Sequence, residues 1–201
     1  EAVPSICLGT PDISVFEMVG ANATFANKGT YIQPTFITRI EDKNGKILEE
    51  FFPSSDEVFS EQDAYAMIQL MRGVVDGGTG GRLRSRHKLF NEIAGKTGTT
   101  QNNADGWFMG LTPDLVAGCW VGGEERSIHF NSIVEGQGAS MALPIWGKFF
   151  QKVYADPSLK ISKNGFVKPA NMGDIELDCS KYDAQSAIDI PMDDLDFEGK
   201  N

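Results

Sequence analysis

Thr112-Pro113-Asp114 is the feature that most limits how this chain can fold. It separates two apolar runs, Gly106–Leu111 and Leu115–Gly122. A parallel crossover needs a dozen residues or more, so a three-residue turn forces these two strands to pair antiparallel. A third run, about Glu92–Thr100, precedes them after another short connection. Three strands in quick succession imply an antiparallel sheet, and helical patterns lie on both sides of it in the sequence. The fold class is therefore α+β.

The helical patterns carry their own start and stop signals. Ser14 with Glu17 forms a capping box, and Gly29 offers a left-handed stop, which predicts a helix over about 14–27. Ser60 with Asp63 caps a second helix, which ends at Gly77-Gly78. Ala64, Met67, Leu70, Met71, Val74 and Val75 form its expected apolar stripe. A last helix starts near Ser140, with Ala142, Ile145, Trp146, Phe149 and Val153 on one face. Between the first two helices, Thr35–Glu41 and Ile47–Phe52 flank Asn44-Gly45, the signature of a β-hairpin. Residues 78–88 read as a glycine-rich and then basic loop. The periodicity fades after Asp156, which divides the chain into a domain over 1–154 and an acidic tail of uncertain order over 155–201.

The net charge of -10 argues against a nucleic-acid partner, because a phosphate backbone would be repelled. Residues 174–201 hold nine carboxylates against two lysines, so seven of those ten excess negatives belong to the tail. No apolar run reaches the length of a membrane span. The chain starts at Glu1 rather than Met, and the expectation is a piece cut from a longer protein. Cys7, Cys119 and Cys179, with His87 and His129, have neither disulfide-framework nor zinc spacing. No cofactor and no metal are expected.

Gly95-Lys96-Thr97-Gly98-Thr99-Thr100 is the segment richest in chemistry. Side chains alternate along a strand, so Lys96 faces one way while Thr97 and Thr99 share the other face. Gly98 removes a side chain where another group must come close. A cation, two hydroxyls and bare backbone along one strand suit an anionic, extended ligand. An edge strand whose lysine merely blocks aggregation fits the same residues, and the two readings stand open on the residues alone.

Ala94–Thr100 followed by Asp105-Gly106-Trp107-Phe108-Met109-Gly110 resembles two consecutive strands of the penicillin-binding proteins, most closely those of the bifunctional class A. Further stretches are similar in the same order: Leu8-Gly9-Thr10, Thr24–Asn27, Gly78-Thr79-Gly80, Trp120-Val121-Gly122 and Ala142–Trp146. The resemblance covers about residues 4–152 and leaves the tail without a counterpart. It implies the C-terminal part of a transpeptidase domain, with a partial β-lactamase-like fold. It implies an acyl-serine D,D-transpeptidase that acts on peptidoglycan stem peptides, is acylated by β-lactams and works at the outer face of the inner membrane. Lys96 would aid proton transfer and charge balance. Thr97 and Thr99 would bind the substrate carboxylate, beside Gly98. The Thr99 N–H would be one oxyanion donor.

The family's Ser-x-x-Lys and Ser-x-Asn elements would lie before residue 1, so the missing N-terminal part of the same domain is an expected partner. Ser85-Arg86-His87-Lys88 and Ser162-Lys163-Asn164 spell the two patterns but stand out of order, and both read as solvated loops. Gly95-Lys96-Thr97 is not a P-loop, because Phe90 stands where its first glycine belongs. No Gly-x-Ser-x-Gly hydrolase motif exists. Trp107, Trp120 and Trp146 could form a sugar platform, but their spacing is that of core residues. The rival of another class is a non-catalytic scaffold or interaction module.

Overall fold

The computed structural model describes residues 3–9 and 11–177. Helix α1, Val15–Ala26, starts at the expected capping box: the Ser14 hydroxyl accepts from Glu17 N at 3.2 Å, and the Glu17 carboxylate accepts from Ser14 N at 2.9 Å. Beyond it Gly29 has φ +90°, and a Cβ there would collide with the Phe59 carbonyl. The same Gly29 offers its carbonyl to the N–H groups of Val58 and Phe59, at 2.9 and 3.1 Å. That tie pulls two short strands together, β1 (Thr30–Ile32) and β4 (Ser55–Glu57), which pair antiparallel. Ser55-Asp56-Glu57 has no strand-forming pattern of its own, so its sequence does not predict a strand there.

The Asn44-Gly45 hairpin is present as β2 (Arg39–Glu41) and β3 (Ile47–Glu50). It is shorter than expected, with a register shift at Ile40/Glu41. Gly45 has φ +81°, and the Asp42 carboxylate shapes the turn by accepting from the N–H groups of Asn44 and Lys46 at 2.8 and 3.0 Å. Helix α2, Glu61–Asp76, is capped by Ser60 as predicted. Its buried stripe is Ala64, Ile68, Met71 and Val75. Leu70, expected on that stripe, is 71% exposed, and Ile68 takes its share. The sheet accepts only a narrow band of α2, so the rest of its apolar surface stays open.

Residues 82–85 form a short helix, α3 (Arg82–Ser85), where a loop was expected. Its anchors are tertiary. Leu83 is fully buried, and the Arg82 guanidinium donates to the Ala139 carbonyl at 2.9 Å and the Ser140 hydroxyl at 2.7 Å. Arg84 ties back to Asp76 and to the carbonyls of Leu89 and Asn91. The buried His87 and Leu89 follow. This stretch is therefore a docked element, not a solvated loop.

The central sheet is β5 (Ala94–Thr99), β6 (Asp105–Leu111) and β7 (Val116–Gly122), antiparallel in that order. Thr112 closes the β6–β7 turn, its hydroxyl bonding both the N–H and the carbonyl of Leu115. After the short α4 (Ile133–Gly136), helix α5 (Gly138–Ala155) crosses one face of the sheet. Helices α1 and α2 cover the other. Side chains at Gly106 or Gly110 would run into Gly138 and Trp146, so these glycines set how closely α5 approaches. Trp146 stacks on Phe150 at 3.8 Å, meets Phe108 edge-on at 5.4 Å, and donates its indole N–H to the Ala117 carbonyl at 3.0 Å.

The buried face of α5 is Ala139, Ala142, Leu143, Trp146, Phe150 and Val153. Ile145 and Phe149, expected on that face, are 53% and 46% exposed. Both lie on the same flank of the stripe that meets the flat sheet, Phe149 at its edge and Ile145 beyond it, roughly 70° and 110° from its centre. The chain after α5 returns over the sheet: Glu92 holds Arg72 at 3.1 Å and accepts from Phe166 N at 2.8 Å. Most of the acidic tail, residues 178–201, lies outside the described residues.

Candidate functional site

The β5 strand starts inside the core and ends outside it. Ala94 and Gly95 are buried, and Lys96 and Thr99 are exposed. A Cβ on Gly95 would come 2.9 Å from both the Met109 carbonyl and the Phe108 ring, so only glycine lets the strand cross there. Among the described residues β5 has one neighbour, β6, and is an edge of the sheet.

The ladder decides which backbone groups face outward. Thr100 N–H donates to the Asp105 carbonyl at 3.1 Å. Antiparallel ladders alternate, so Gly98 and Lys96 also bond inward to β6, and Thr97 and Thr99 turn their N–H and C=O to the open edge. The Lys96 ammonium agrees with this: it donates to the outward Thr97 carbonyl at 2.8 Å.

The side chains of Thr97 and Thr99 point to the α5 side, as alternation predicts. One is met by Thr79, which belongs to the Gly78-Thr79-Gly80 stretch of the resemblance, and the other by Gly138, which carries no motif. Thr97 Oγ1 lies 2.7 Å from Thr79 Oγ1, and Thr99 Oγ1 accepts from the Gly138 N–H at 3.0 Å. A Cβ on Gly138 would collide with the carbonyls of Gly98 and Trp107, so α5 can begin this close to the strand only with glycine. The usable signal was glycine itself, which flanks Thr79 at 78 and 80 and opens α5 at 138. At the far end of β5, Asn102 and Asn103 both take left-handed backbone, with φ 60° and 57°. Asn103 and Phe130 exchange hydrogen bonds there, holding the loop before α4 beside the strand end.

The remaining candidates disperse. Trp146 is a core residue of α5, while on the other face of the sheet Trp107 is the cross-strand partner of Gly98 on one side and of Trp120 on the other. The three tryptophans therefore form no common platform. Ser85 is exposed on α3 and donates to the Gly81 carbonyl at 3.3 Å. Ser162 offers its N–H to Asp114 at 2.8 Å, and that bond holds the Asp114 carboxyl below its usual range. Burial pushes the Cys119 thiol up, away from reactivity. A groove of about 720 Å³ lies away from β5 and is lined by α1 and its neighbours, among them Phe16, Phe25, Tyr31 and Phe59. The β5 edge itself is open, with no second wall over Lys96 and Thr99 among the described residues.

A family profile described as "Penicillin binding protein transpeptidase domain" matches residues 5–118. The chain belongs to this transpeptidase family. It is 32% identical over 86% of its length to Penicillin-binding protein 1A of Aquifex aeolicus, and covers 23% of that protein. It is 37% identical over 75% of its length to Penicillin-binding protein 2D of Bacillus subtilis, covering 22% of that one. Among solved structures, the penicillin-binding protein PonA1 from Mycobacterium tuberculosis matches with a TM-score of 0.62 and 29% identity, over 83% of this chain and 44% of that one. The chain thus spans less than a quarter of these two curated relatives. The resemblance to class A proteins holds, and so does the mixed helix and antiparallel-sheet fold of the transpeptidase domain. None of the described helices is long and apolar enough to cross a membrane.

Proposed function

We propose that the parent of this chain is a D,D-transpeptidase that cross-links peptidoglycan stem peptides through an acyl-serine. A serine oxygen attacks the peptide carbonyl, the C–N bond breaks, and the leaving nitrogen takes up the proton. A β-lactam ring opens by the same attack and leaves a stable ester. The serine and its Ser-x-x-Lys and Ser-x-Asn surroundings would come from a part of the domain outside this chain.

The observation that carries this reading is the convergence on one edge strand. Lys96 supplies a cation, Thr97 and Thr99 supply hydroxyls, and the Thr99 N–H faces outward beside them. In this role Thr97 and Thr99 bind the substrate carboxylate, Gly98 keeps the strand bare, and Lys96 balances charge near the serine. The Thr99 N–H stabilises the tetrahedral oxyanion, and losing one such donor costs about 2.7–4 kcal/mol of barrier. The parent would work at the extracytoplasmic face of the inner membrane, anchored by a segment not present in this chain.

The test is a fluorescent penicillin offered to the full-length parent. Covalent labelling is expected, and Lys96→Ala should slow it at least tenfold while leaving the melting temperature in place. An unlabelled but folded parent would discredit the transpeptidase reading. A lower melting temperature at an unchanged labelling rate would make Lys96 structural. The open groove beside α1 favours a second reading for the chain by itself: a module that packs on another polypeptide without catalysis.

A further inference from the structure

Thr79 stands on the turn after α2, eighteen positions before Thr97, yet the two hydroxyl oxygens are 2.7 Å apart. The turn is built to hold it there. Gly80 N–H bonds back to the Val74 carbonyl at 2.8 Å. A Cβ on Gly78 would sit 3.0 Å from the backbone of Val74, and one on Gly80 would sit 3.1 Å from the Val74 carbonyl. Two glycines therefore let the chain fold tightly over the end of α2 and present the one side chain between them.

A hydroxyl has a single proton and two acceptor positions. If Thr97 donates to Thr79, its proton is consumed, and it meets an anion with lone pairs only. If Thr79 donates to Thr97, the Thr97 proton is free for a ligand. A carboxylate at Thr97 favours the second arrangement, because each donated bond polarises the next. Thr99 has the same pattern, since the Gly138 N–H fills an acceptor position and leaves its proton available.

We propose that Thr79 is a positioning residue that orients the Thr97 hydroxyl toward the ligand carboxylate. This rests on the reading of Thr97 as a carboxylate contact. The alternative is a staple that merely holds the turn to β5.

The test compares benzylpenicillin with its methyl ester, which keeps the reactive ring but lacks the anion. Second-order acylation rates are measured for the full-length protein and its Thr79→Val and Thr79→Ser variants. Thr79→Val should slow benzylpenicillin by about tenfold, the scale of one hydrogen bond to a charged group. The ester rate should stay within about twofold, and Thr79→Ser should restore the benzylpenicillin rate. The ratio between the two ligands is independent of how much variant is folded. Equal slowing of both ligands, or of neither, overturns the proposal. A parent that benzylpenicillin never acylates overturns the transpeptidase reading first, and this inference falls with it.

Discussion

At the scale of the residue, the glycines differ most in what they permit. Gly138 sits so near β5 that any side chain meets the carbonyls of Gly98 and Trp107. Gly138→Ala should cost about 1–3 kcal/mol in urea unfolding, the usual price of overpacking a tight contact. It should also slow β-lactam acylation of the parent, since the start of α5 must retreat from the Thr99 hydroxyl. Gly73 is the opposite case. It lies inside α2, is exposed, and a Cβ there would meet nothing within 4 Å. Gly73→Ala should therefore stabilise the protein by about 0.5–1 kcal/mol, through helix propensity alone. If both substitutions change stability alike, backbone approach is not what Gly138 provides. A sequence marks both positions simply as glycine, and only the neighbours across space separate them.

At the scale of the element, the docking of α3 and its following turn onto α5 should respond to pH. The His87 ring lies flat against α5, with a Cβ on Gly147 only 2.6 Å from it. Burial holds the His87 pKa below its ordinary value of 6.5, and the nearby positive charges of Lys148 and Arg86 add to the effect against a smaller opposing bond with Gln151. The folded protein thus resists a proton that the unfolded chain accepts. Stability from this contact is complete above pH 6.5 and falls as the pH drops below that value toward the lowered one. Urea midpoints at pH 7.5 and pH 5.5 should show the loss, and His87→Gln should flatten it. A slope unchanged by that substitution would remove His87 as its source.

At the scale of the whole molecule, the β5 edge proposed to meet substrate has no Ser-x-x-Lys serine beside it among the described residues. The chain's Ser-x-x-Lys spelling is Ser85–Lys88, on a short helix whose serine bonds its own turn. The 201-residue chain alone should form no stable adduct with a β-lactam, as intact mass will tell, and an adduct on Ser85 would reverse that assignment. What could be read directly was local: the caps of α1 and α2, the Asn-Gly hairpin, the antiparallel trio of strands, and the Lys96 against Thr97/Thr99 alternation. Each depends on neighbours within a few residues, where backbone sterics and hydrogen bonding act without help from the fold. The β1–β4 pair, helix α3 and the buried faces of α2 and α5 were not readable in that way. Neither were the partners that Thr79 and Gly138 offer to the strand hydroxyls. Those depend on contacts between distant segments, which exist only after the sheet has fixed the distance at which α2 and α5 approach it.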